Sequence, residues 1–211
     1  LKLAASLDGR TALANGQSRW ITGDAARADV QRLRARSSAV MTGSATVRAD
    51  DPRLDVRLPE VTRQPLRVVL DTKLRTLPSA RVVAAPGRLL LLTASADSEL
   101  CGALEAAGAS VVRLPEGPDG LDLSAVMRYL AELEVNELQV ECGPSLAGAL
   151  LRAGLVDELV LYLAPTLLGT DAQPLALLSG VASMADRMEL VICDLRRLGP
   201  DLRITLRPAQ G

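Results

Sequence analysis

Short apolar runs recur along this chain, and stretches with apolar residues at helical spacing separate them. Leu66–Leu70 and Leu89–Thr93 are rich in Leu and Val, which is typical of strands buried on both faces. In residues 25–36, Val30 and Leu33 lie three apart on one face, and arginines line the polar side, which predicts a helix. Strands that alternate with helices are joined by crossovers, so the pattern predicts an α/β fold with mostly parallel strands.

The end of the chain has a different pattern. Two apolar runs, residues 189–195 and 202–206, flank the turn Gly199-Pro200 and predict an antiparallel hairpin that closes a mixed sheet. The loosest segment, residues 115–120, is short enough to be a loop rather than a domain boundary. We therefore expect a single domain over residues 1–211. The remaining predictions are strands at 1–6, 39–42, 111–114, 138–141 and 158–163, and helices at 98–107, 123–133 and 145–153.

Charge and composition narrow the function classes. The chain carries 24 Lys plus Arg against 25 Asp plus Glu, so no overall field attracts nucleic acid or an anionic membrane. No apolar stretch approaches the roughly 20 residues that span a bilayer, and we expect a soluble, cytoplasmic protein. Without histidine, acid–base chemistry falls to Lys, Asp, Glu or Tyr, and no metal site is expected. Two of the three cysteines, Cys101 and Cys193, are expected in the core.

A strand–turn–helix junction gives the strongest chemical signal. A predicted strand ends in Glu141, continues through Cys142-Gly143 and enters a helix at once. Glycine lets backbone approach a ligand, and free amides at a helix start can donate to a phosphate. Glycine at such junctions also serves chain geometry alone, and the stretch is neither a GxGxxG motif nor a Walker loop. The junction indicates an anion site without identifying the anion.

Several single residues can contact a ligand, and some of them also have a simpler structural interpretation. Arg34, Arg57 and Ser18 can converge on one phosphate because the arginine fork donates two parallel hydrogen bonds, although an arginine taken alone is more often a solvated surface charge. The single Trp20 either stacks on a flat ligand ring or covers the start of the first helix. Thr72, followed by Lys73 and Arg75, can contact a 2′-phosphate.

Lys2 and Glu141 both belong to apolar strands. An isolated charge there is costly unless it is paired or faces a cleft. If the two strands are neighbours, these residues form an acid–base pair; otherwise they are strand-end charges in water.

Five ordered segments together resemble one family over nearly the whole chain: LKLAASLDGR (1–10), SRWIT (18–22), TVRADDPRLDVR (46–57), ECGPSLA (141–147) and APTLLG (164–169). They resemble the reductase half of the bifunctional riboflavin-biosynthesis deaminase–reductases. The resemblance implies a dihydrofolate-reductase-like fold, with a mixed, mostly parallel central sheet flanked by helices. It also implies NADPH as cofactor and 5-amino-6-(5-phosphoribosylamino)uracil as substrate, reduced to the phosphoribitylamino product. By the same resemblance we expect a homodimer and, in the full-length protein, a fused zinc deaminase domain outside these residues.

The resemblance also assigns site residues. Lys2 and Glu141 are expected to handle protons. The residues expected to bind NADPH are Ala4, Trp20, Thr46, Asp50, Thr72, Gly143, Pro144, Ser145, Leu146, Ala147, Gly148 and Ala149. Those expected to bind substrate are Ser18, Arg34, Leu54, Arg57 and Glu141. The chain departs from its family at Cys142-Gly143, where relatives have a small pair; by analogy with dihydrofolate-reductase-like folds, we expect a cis peptide here.

Three alternative functions stay open at this stage. The substrate can instead be the non-deaminated diamino-pyrimidinone phosphate, or a pterin, although Arg34 with Arg57 favours a phosphorylated sugar. A non-catalytic nucleotide-binding domain with the same fold is the third. The presence of Lys2 and Glu141 argues against that loss of catalysis.

Overall fold

A computed structural model of the chain describes residues 1–209. Its strands are, in chain order, β1 (Lys2–Ser6), β2 (Arg10–Ala12), β3 (Ala39–Gly43), β4 (Leu66–Leu70), β5 (Leu89–Thr93), β6 (Ser110–Arg113), β7 (Glu116–Gly117), β8 (Gly120–Leu121), β9 (Leu138–Val140), β10 (Leu159–Ala164), β11 (Gln173–Pro174), β12 (Leu190–Leu198) and β13 (Asp201–Pro208). Its helices are α1 (Asp24–Arg36), α2 (Ser44–Asp50), α3 (Arg81–Ala84), α4 (Ser98–Ala106), α5 (Leu123–Glu132) and α6 (Pro144–Arg152), with a 3₁₀ turn at Met184–Asp186. The chain divides into two compact units: unit 2 is Gln31–Val140, and unit 1 is Leu1–Val30 with the described residues from Glu141 onward.

Unit 2 is built on a five-stranded parallel sheet. The strand order is β6-β5-β4-β3-β9, and each neighbouring pair in it is parallel. Parallel strands place their carboxyl ends at one edge, so the residues that follow β3, β4 and β5 share that edge of the sheet. The carboxyl edge of this sheet is therefore where a ligand site is expected in unit 2.

The core of unit 2 joins this sheet to three helices. Its fully buried members come from β3, β4, β5, α2, α3 and α4 and include Val40, Val69, Leu91, Val47, Val82 and Leu104. Burying each such side chain contributes about 1.5–3 kcal/mol. Aspartate caps begin two helices: Asp97 accepts from the amides of Glu99 and Leu100 at the start of α4, and Asp122 caps α5 in the same way.

Unit 1 contains a four-stranded mixed sheet in the order β1-β10-β13-β12. β1 pairs in parallel with β10, while β10–β13 and β13–β12 are antiparallel. Leu3, Ala147 and Leu159 are buried in its core, where they pack with Leu190 and Leu206. The C-terminal hairpin is thus part of the sheet that contains β1.

The structure confirms the predicted α/β class, the parallel strands and the C-terminal hairpin. Three details were wrong. Residues 115–120, predicted as a loop, include most of the short hairpin β7–β8. Cys193, predicted in the core, is exposed because β12 is the edge strand of its sheet. The Cys142–Gly143 peptide is not cis; among residues 1–209 the cis peptide is Arg19–Trp20.

Within the described part of the chain, no helix is long and apolar enough to cross a bilayer.

Candidate active site

Lys2 and Glu141 lie side by side in unit 1. They form an isolated parallel β-bridge, and both are partly buried. Lys2 begins β1, and Glu141 comes directly after β9 in the chain. The bridge places the two backbones at sheet spacing, about 4.8 Å. The two residues are thus neighbours through one isolated bridge and not through a ladder of two strands, and their role as an acid–base pair stays a prediction.

A buried polar group that sequence reasoning missed lies near Lys2. The Tyr162 hydroxyl donates to Asp29 Oδ2 at 2.6 Å, and Arg203 Nη1 lies 3.2 Å from the same oxygen. Lys2 Nζ is 5.5 Å from the centroid of the Tyr162 ring. The sequence signal was a tyrosine within an apolar strand, because a buried tyrosine hydroxyl needs a partner. Predicted cofactor residue Ala4 lies opposite Tyr162 in the β1–β10 ladder.

The predicted anion site at the start of α6 is partly accessible. Gly143 is the N-cap, and Pro144 is the first helical residue. Gly143, Pro144 and Leu146 are partly buried, and Ser145 is exposed. Because proline has no N–H, the amide donors of this first turn are those of Ser145 and Leu146. These N–H groups lie at the N-terminus of the helix, where the helix dipole is positive, and such a position favours binding of a phosphate.

The later residues of that segment have a packing reason. Ala147, Gly148 and Ala149 are buried. A β-carbon on Gly148 would collide with the carbonyl oxygen of Leu177, whose N–H donates to the carbonyl of Pro144 at 2.9 Å. A cofactor role for these three residues stays a prediction.

Cys142 packs in the core of unit 1, and burial raises the pKa of its thiol to about 12. The thiol therefore stays protonated at neutral pH and is a poor nucleophile.

Trp20 presents an exposed ring in the loop before α1. Its side chain is 69% exposed, and the guanidinium carbons of Arg27 and Arg19 lie 4.5 Å and 5.9 Å from the ring centroid. These distances are within the range of cation–π contacts, about 6 Å. Ser18 is in the same loop and is partly buried. Arg27 is also paired with Asp24 and donates to the carbonyl of Thr22, so it is held beside the ring. The roles of Trp20 and Ser18 stay predictions.

Three arginines of unit 2 contact Asp55, a residue that the sequence analysis did not single out. Arg53 approaches its carboxylate at 2.6 Å, and Arg57 at 3.6 Å. Arg34 Nη1 donates to the backbone carbonyl of Asp55 at 3.1 Å. Arg34 and Arg57 thus both lie beside the buried Asp55, one at its backbone carbonyl and the other at its carboxylate. Their convergence with Ser18 on a phosphate stays a prediction. The signal was available in the run DPRLDVR, where an acid is flanked by basic residues.

Leu54 precedes Asp55 and is held in the left-handed region at φ 58°. Its side chain is 2% exposed and belongs to the core of unit 2. A predicted substrate contact by Leu54 would therefore use its backbone.

The other predicted cofactor residues of unit 2 lie at the carboxyl edge of the sheet or close to it. Thr46 and Asp50 are four apart on α2, so they share one face of that helix. A cavity of about 390 Å³ is lined by Ser44, which follows β3, and by Thr72, Lys73 and Arg75, which follow β4. Asp71 and Glu116 also line it.

Two details of this cavity follow from its backbone. The buried Asp71 carboxylate accepts from the Thr76 amide at 2.6 Å and closes the turn that carries Lys73 and Arg75 outward. On β8, a β-carbon at Gly120 would lie 3.0 Å from Thr72 Oγ1. Glycine at this position therefore keeps the Thr72 hydroxyl accessible.

Residues 1–203 match the protein family described as the RibD C-terminal domain. The chain belongs to this family. The family that the sequence segments resembled is thereby confirmed, and so is the fold that this resemblance implied, since solved members share it.

Two curated relatives differ in the share of their own length that this chain matches. Riboflavin biosynthesis protein RibD of Escherichia coli (strain K12) is 44% identical over 218 residues, which cover 98% of this chain and 58% of that protein. A protein of Buchnera aphidicola subsp. Acyrthosiphon pisum, named 5-amino-6-(5-phosphoribosylamino)uracil reductase, is 30% identical over 206 residues, covering 92% of this chain and 98% of that protein. The chain thus spans 58% of the first relative's length and nearly all of the second's.

Solved structures agree with this assignment. Acinetobacter baumannii RibD, form 1, has a TM-score of 0.87 and 37% identity, and the match covers 99% of this chain and 57% of that one. The riboflavin biosynthesis reductase Rib7 of Saccharomyces cerevisiae has a TM-score of 0.73 at 17% identity, covering 99% of this chain and 88% of that one. At that identity the second comparison supports the fold alone.

Proposed function

We propose that this chain is an NADPH-dependent reductase that converts 5-amino-6-(5-phosphoribosylamino)uracil to 5-amino-6-(5-phosphoribitylamino)uracil. The observation that carries the proposal is the backbone bridge that makes Lys2 and Glu141 neighbours, in a chain whose relatives include a protein named as a reductase. The non-catalytic alternative is disfavoured by the same pair. The two compact units act as one reductase domain in this proposal.

The residues present fit a phosphorylated dinucleotide. Unit 2 offers Lys73, Arg75 and the Thr72 hydroxyl around its cavity, a donor set suited to the 2′-phosphate that distinguishes NADPH from NADH. Thr46 and Asp50 lie on α2 and are assigned to the same cofactor. In unit 1, the assignment uses the amides at the start of α6 for a phosphate, with Trp20 and Ala4 as further contacts.

The substrate phosphate is assigned to the arginines around Asp55. Arg34 and Arg57 are the predicted ligands, and Arg53 joins them because Asp55 holds its fork. The side chains of Arg53 and Arg57 are 39% and 56% exposed, so both can reach a ligand. Ser18, Leu54 and Glu141 complete the assigned substrate contacts.

The reaction needs one hydride at C1′ and one proton at the neighbouring nitrogen, once the ribose ring has opened to a carbon–nitrogen double bond. NADPH supplies the hydride when it is bound. Lys2 can donate a proton as an ammonium, and Glu141 can accept one as a carboxylate during ring opening. General acid–base catalysis of this kind raises the reaction rate about 10²–10⁴-fold. Holding the two reactants close together in the correct orientation raises it further.

The direct test is to mix the purified chain with NADPH and the deaminated pyrimidine, follow nicotinamide absorbance, and measure the product mass. A gain of two hydrogens on the pyrimidine supports the proposal. The non-deaminated diamino-pyrimidinone phosphate is run in parallel, and turnover of that compound alone would replace the substrate. Absence of NADPH binding would refute the proposed function.

We propose that the enzyme is a homodimer and that β12 forms its interface. The ladder places Ile192, Leu195 and Leu202 on one face of the sheet, and these side chains are 62%, 59% and 37% exposed. If β12 pairs antiparallel with its own copy about Leu195, Asp194 lies opposite Arg196 of the partner subunit, so the edge is complementary in charge to itself.

Light scattering tests the dimer. We expect twice the chain mass of 22.2 kDa for the wild type and a single chain mass for Leu195→Lys. Asp194→Arg should dissociate the dimer, and adding Arg196→Asp should restore it. A wild-type chain that stays at 22.2 kDa contradicts the interface.

A cytoplasmic location is part of the proposal, because the reaction draws on NADPH. The deaminase domain implied by the resemblance to the bifunctional proteins lies outside the 211 residues of this chain and stays a prediction.

A further inference from the structure

We propose that Tyr162 is a positioning residue for Lys2: its buried ring fixes the Lys2 ammonium, and Asp29 and Arg203 fix the ring. The inference rests on the proposed role of Lys2 in proton transfer. It adds to that function a group that touches neither substrate nor cofactor and acts through Lys2.

The sheet register puts the two side chains on one face. In the parallel β1–β10 ladder, Lys2 lies opposite Val160, and Ala4 lies opposite Tyr162. Tyr162 is therefore the diagonal neighbour of Lys2 on the same side of the sheet. The distance of 5.5 Å from Lys2 Nζ to the ring centroid is within cation–π range. The ring is wholly buried and Lys2 is partly buried, so the ring side of this contact is closed to water.

The ring is held from its far end. Its hydroxyl donates to Asp29 Oδ2 on α1 at 2.6 Å. Arg203 lies opposite Tyr162 in the β10–β13 ladder and reaches the same oxygen at 3.2 Å. Burial, and next the hydrogen bond to Asp29, raise the pKa of Tyr162 well above its ordinary value, so the hydroxyl stays a donor at neutral pH. Tyr162 is thus anchored by strand pairing, burial and a charged acceptor.

An anchored ring matters because a lysine ammonium sits on a flexible four-carbon stem. Cation–π attraction restricts that stem and favours the charged form of Lys2. The other charged groups around this pair are Glu141, bridged to Lys2, Asp29 on α1 and Arg203 on β13. The carboxylates also favour the ammonium, and Arg203 opposes it. Removing the ring alone should therefore lower the pKa of Lys2 and loosen its position.

The contact can be tested by NMR without any substrate. The sequence contains two lysines, Lys2 and Lys73, so carbon-13 labelling of lysine Cε gives two signals that Lys73→Arg assigns. We expect a ring-current shift at Lys2 that Tyr162→Phe keeps and Tyr162→Leu abolishes, and Lys2 should titrate at a lower pH in the leucine variant. A Lys2 signal unchanged by Tyr162→Leu would overturn the proposal.

A second variant guards against misfolding of Tyr162→Leu. Lys2→Met changes a partly buried position, and we expect it to move the ring resonances of Tyr162, which Tyr129→Phe distinguishes from the other tyrosine. Tyr162 ring resonances whose chemical shifts do not change in Lys2→Met would also overturn the proposal.

Kinetics then separate positioning from simple packing. Tyr162→Leu should lower kcat about tenfold, shift the alkaline limb of the kcat–pH profile to lower pH, and leave kcat unchanged when Lys2 is already Met. An equal loss in both backgrounds would show a structural role and overturn the proposal. Because the NMR test needs no turnover, it decides whether Tyr162 holds Lys2 even if the wild-type chain reduces neither pyrimidine.

Discussion

Gly120 and Thr72 approach so closely that a β-carbon on Gly120 would lie 3.0 Å from the Thr72 hydroxyl oxygen. Gly120 also has a φ of +126°, a conformation that other residues rarely adopt. The hairpin β7–β8 thus lines the cavity in unit 2 with Glu116 and, beside Thr72, with a residue that has no side chain.

Gly120→Ala should crowd the Thr72 hydroxyl and raise the KM for NADPH. The backbone strain alone should lower the free energy of unfolding by about 1–3 kcal/mol. Gly108→Ala is the matched control, because Gly108 also has a positive φ, of +97°, and nothing lies within 4 Å of its β-carbon position. Urea unfolding should show a loss in both variants, and steady-state kinetics should show the KM effect in Gly120→Ala alone. An equal KM in the two variants would contradict the cofactor assignment of this cavity.

Lys73→Ala and Arg75→Ala should each raise the KM for NADPH about tenfold, because each removes a charge-assisted hydrogen bond to the 2′-phosphate. The KM for NADH, which lacks that phosphate, should stay unchanged. Arg88→Ala removes an exposed arginine that does not line the cavity and serves as the control. Parallel losses for both nucleotides would place the 2′-phosphate elsewhere.

Asp55→Asn should raise the KM for the phosphorylated pyrimidine about tenfold, because Arg53 and Arg57 lose the charged acceptor that orients them. The KM for NADPH should not change. A dephosphorylated pyrimidine is the control substrate, and the variant should bind it as the wild type does. Tighter binding of the phosphorylated substrate would show that the Asp55 charge opposes the phosphate more than its contacts orient the arginines.

Local patterns in the sequence predict buried strands such as β5, whereas contacts between distant segments depend on the folded chain. β5 was predictable because an unbroken apolar run can only be buried, and all of Leu89–Thr93 is. Strand order was not, so the sequence could state the Lys2–Glu141 pairing only as a condition. Cys193 was misplaced for the same reason, since an apolar pattern does not tell an edge strand from a central one. The charges of the run DPRLDVR were readable, but the burial of Asp55 and its pairing with Arg53 and Arg57 were not, because both depend on how the backbone folds there.

Asp8 provides a pH test of unit 1. The Ser6 hydroxyl first, and the amides of Gly169 and Leu168 next, lower the pKa of Asp8 from 3.8 to about 2. A carboxyl group with a lowered pKa stabilises the fold above its ordinary pKa, and this contribution is lost as the pH falls through about 2. The amide shifts of residues 168 and 169 should therefore hold to pH 3 and change below it, and in Asp8→Asn they should not titrate. An NMR midpoint near 3.8 would contradict the contact.

Transfer of deuterium is the most direct measurement of the central claim. NADPH carrying deuterium at C4, prepared separately on each face of the nicotinamide, is incubated with the chain and 5-amino-6-(5-phosphoribosylamino)uracil, and the product is examined by mass spectrometry and NMR. We expect one of the two labelled forms to place deuterium at C1′ of the ribityl product, with the phosphate retained. A reduced product without deuterium at C1′ from either form, or no reduced product at all, would contradict the proposed reductase.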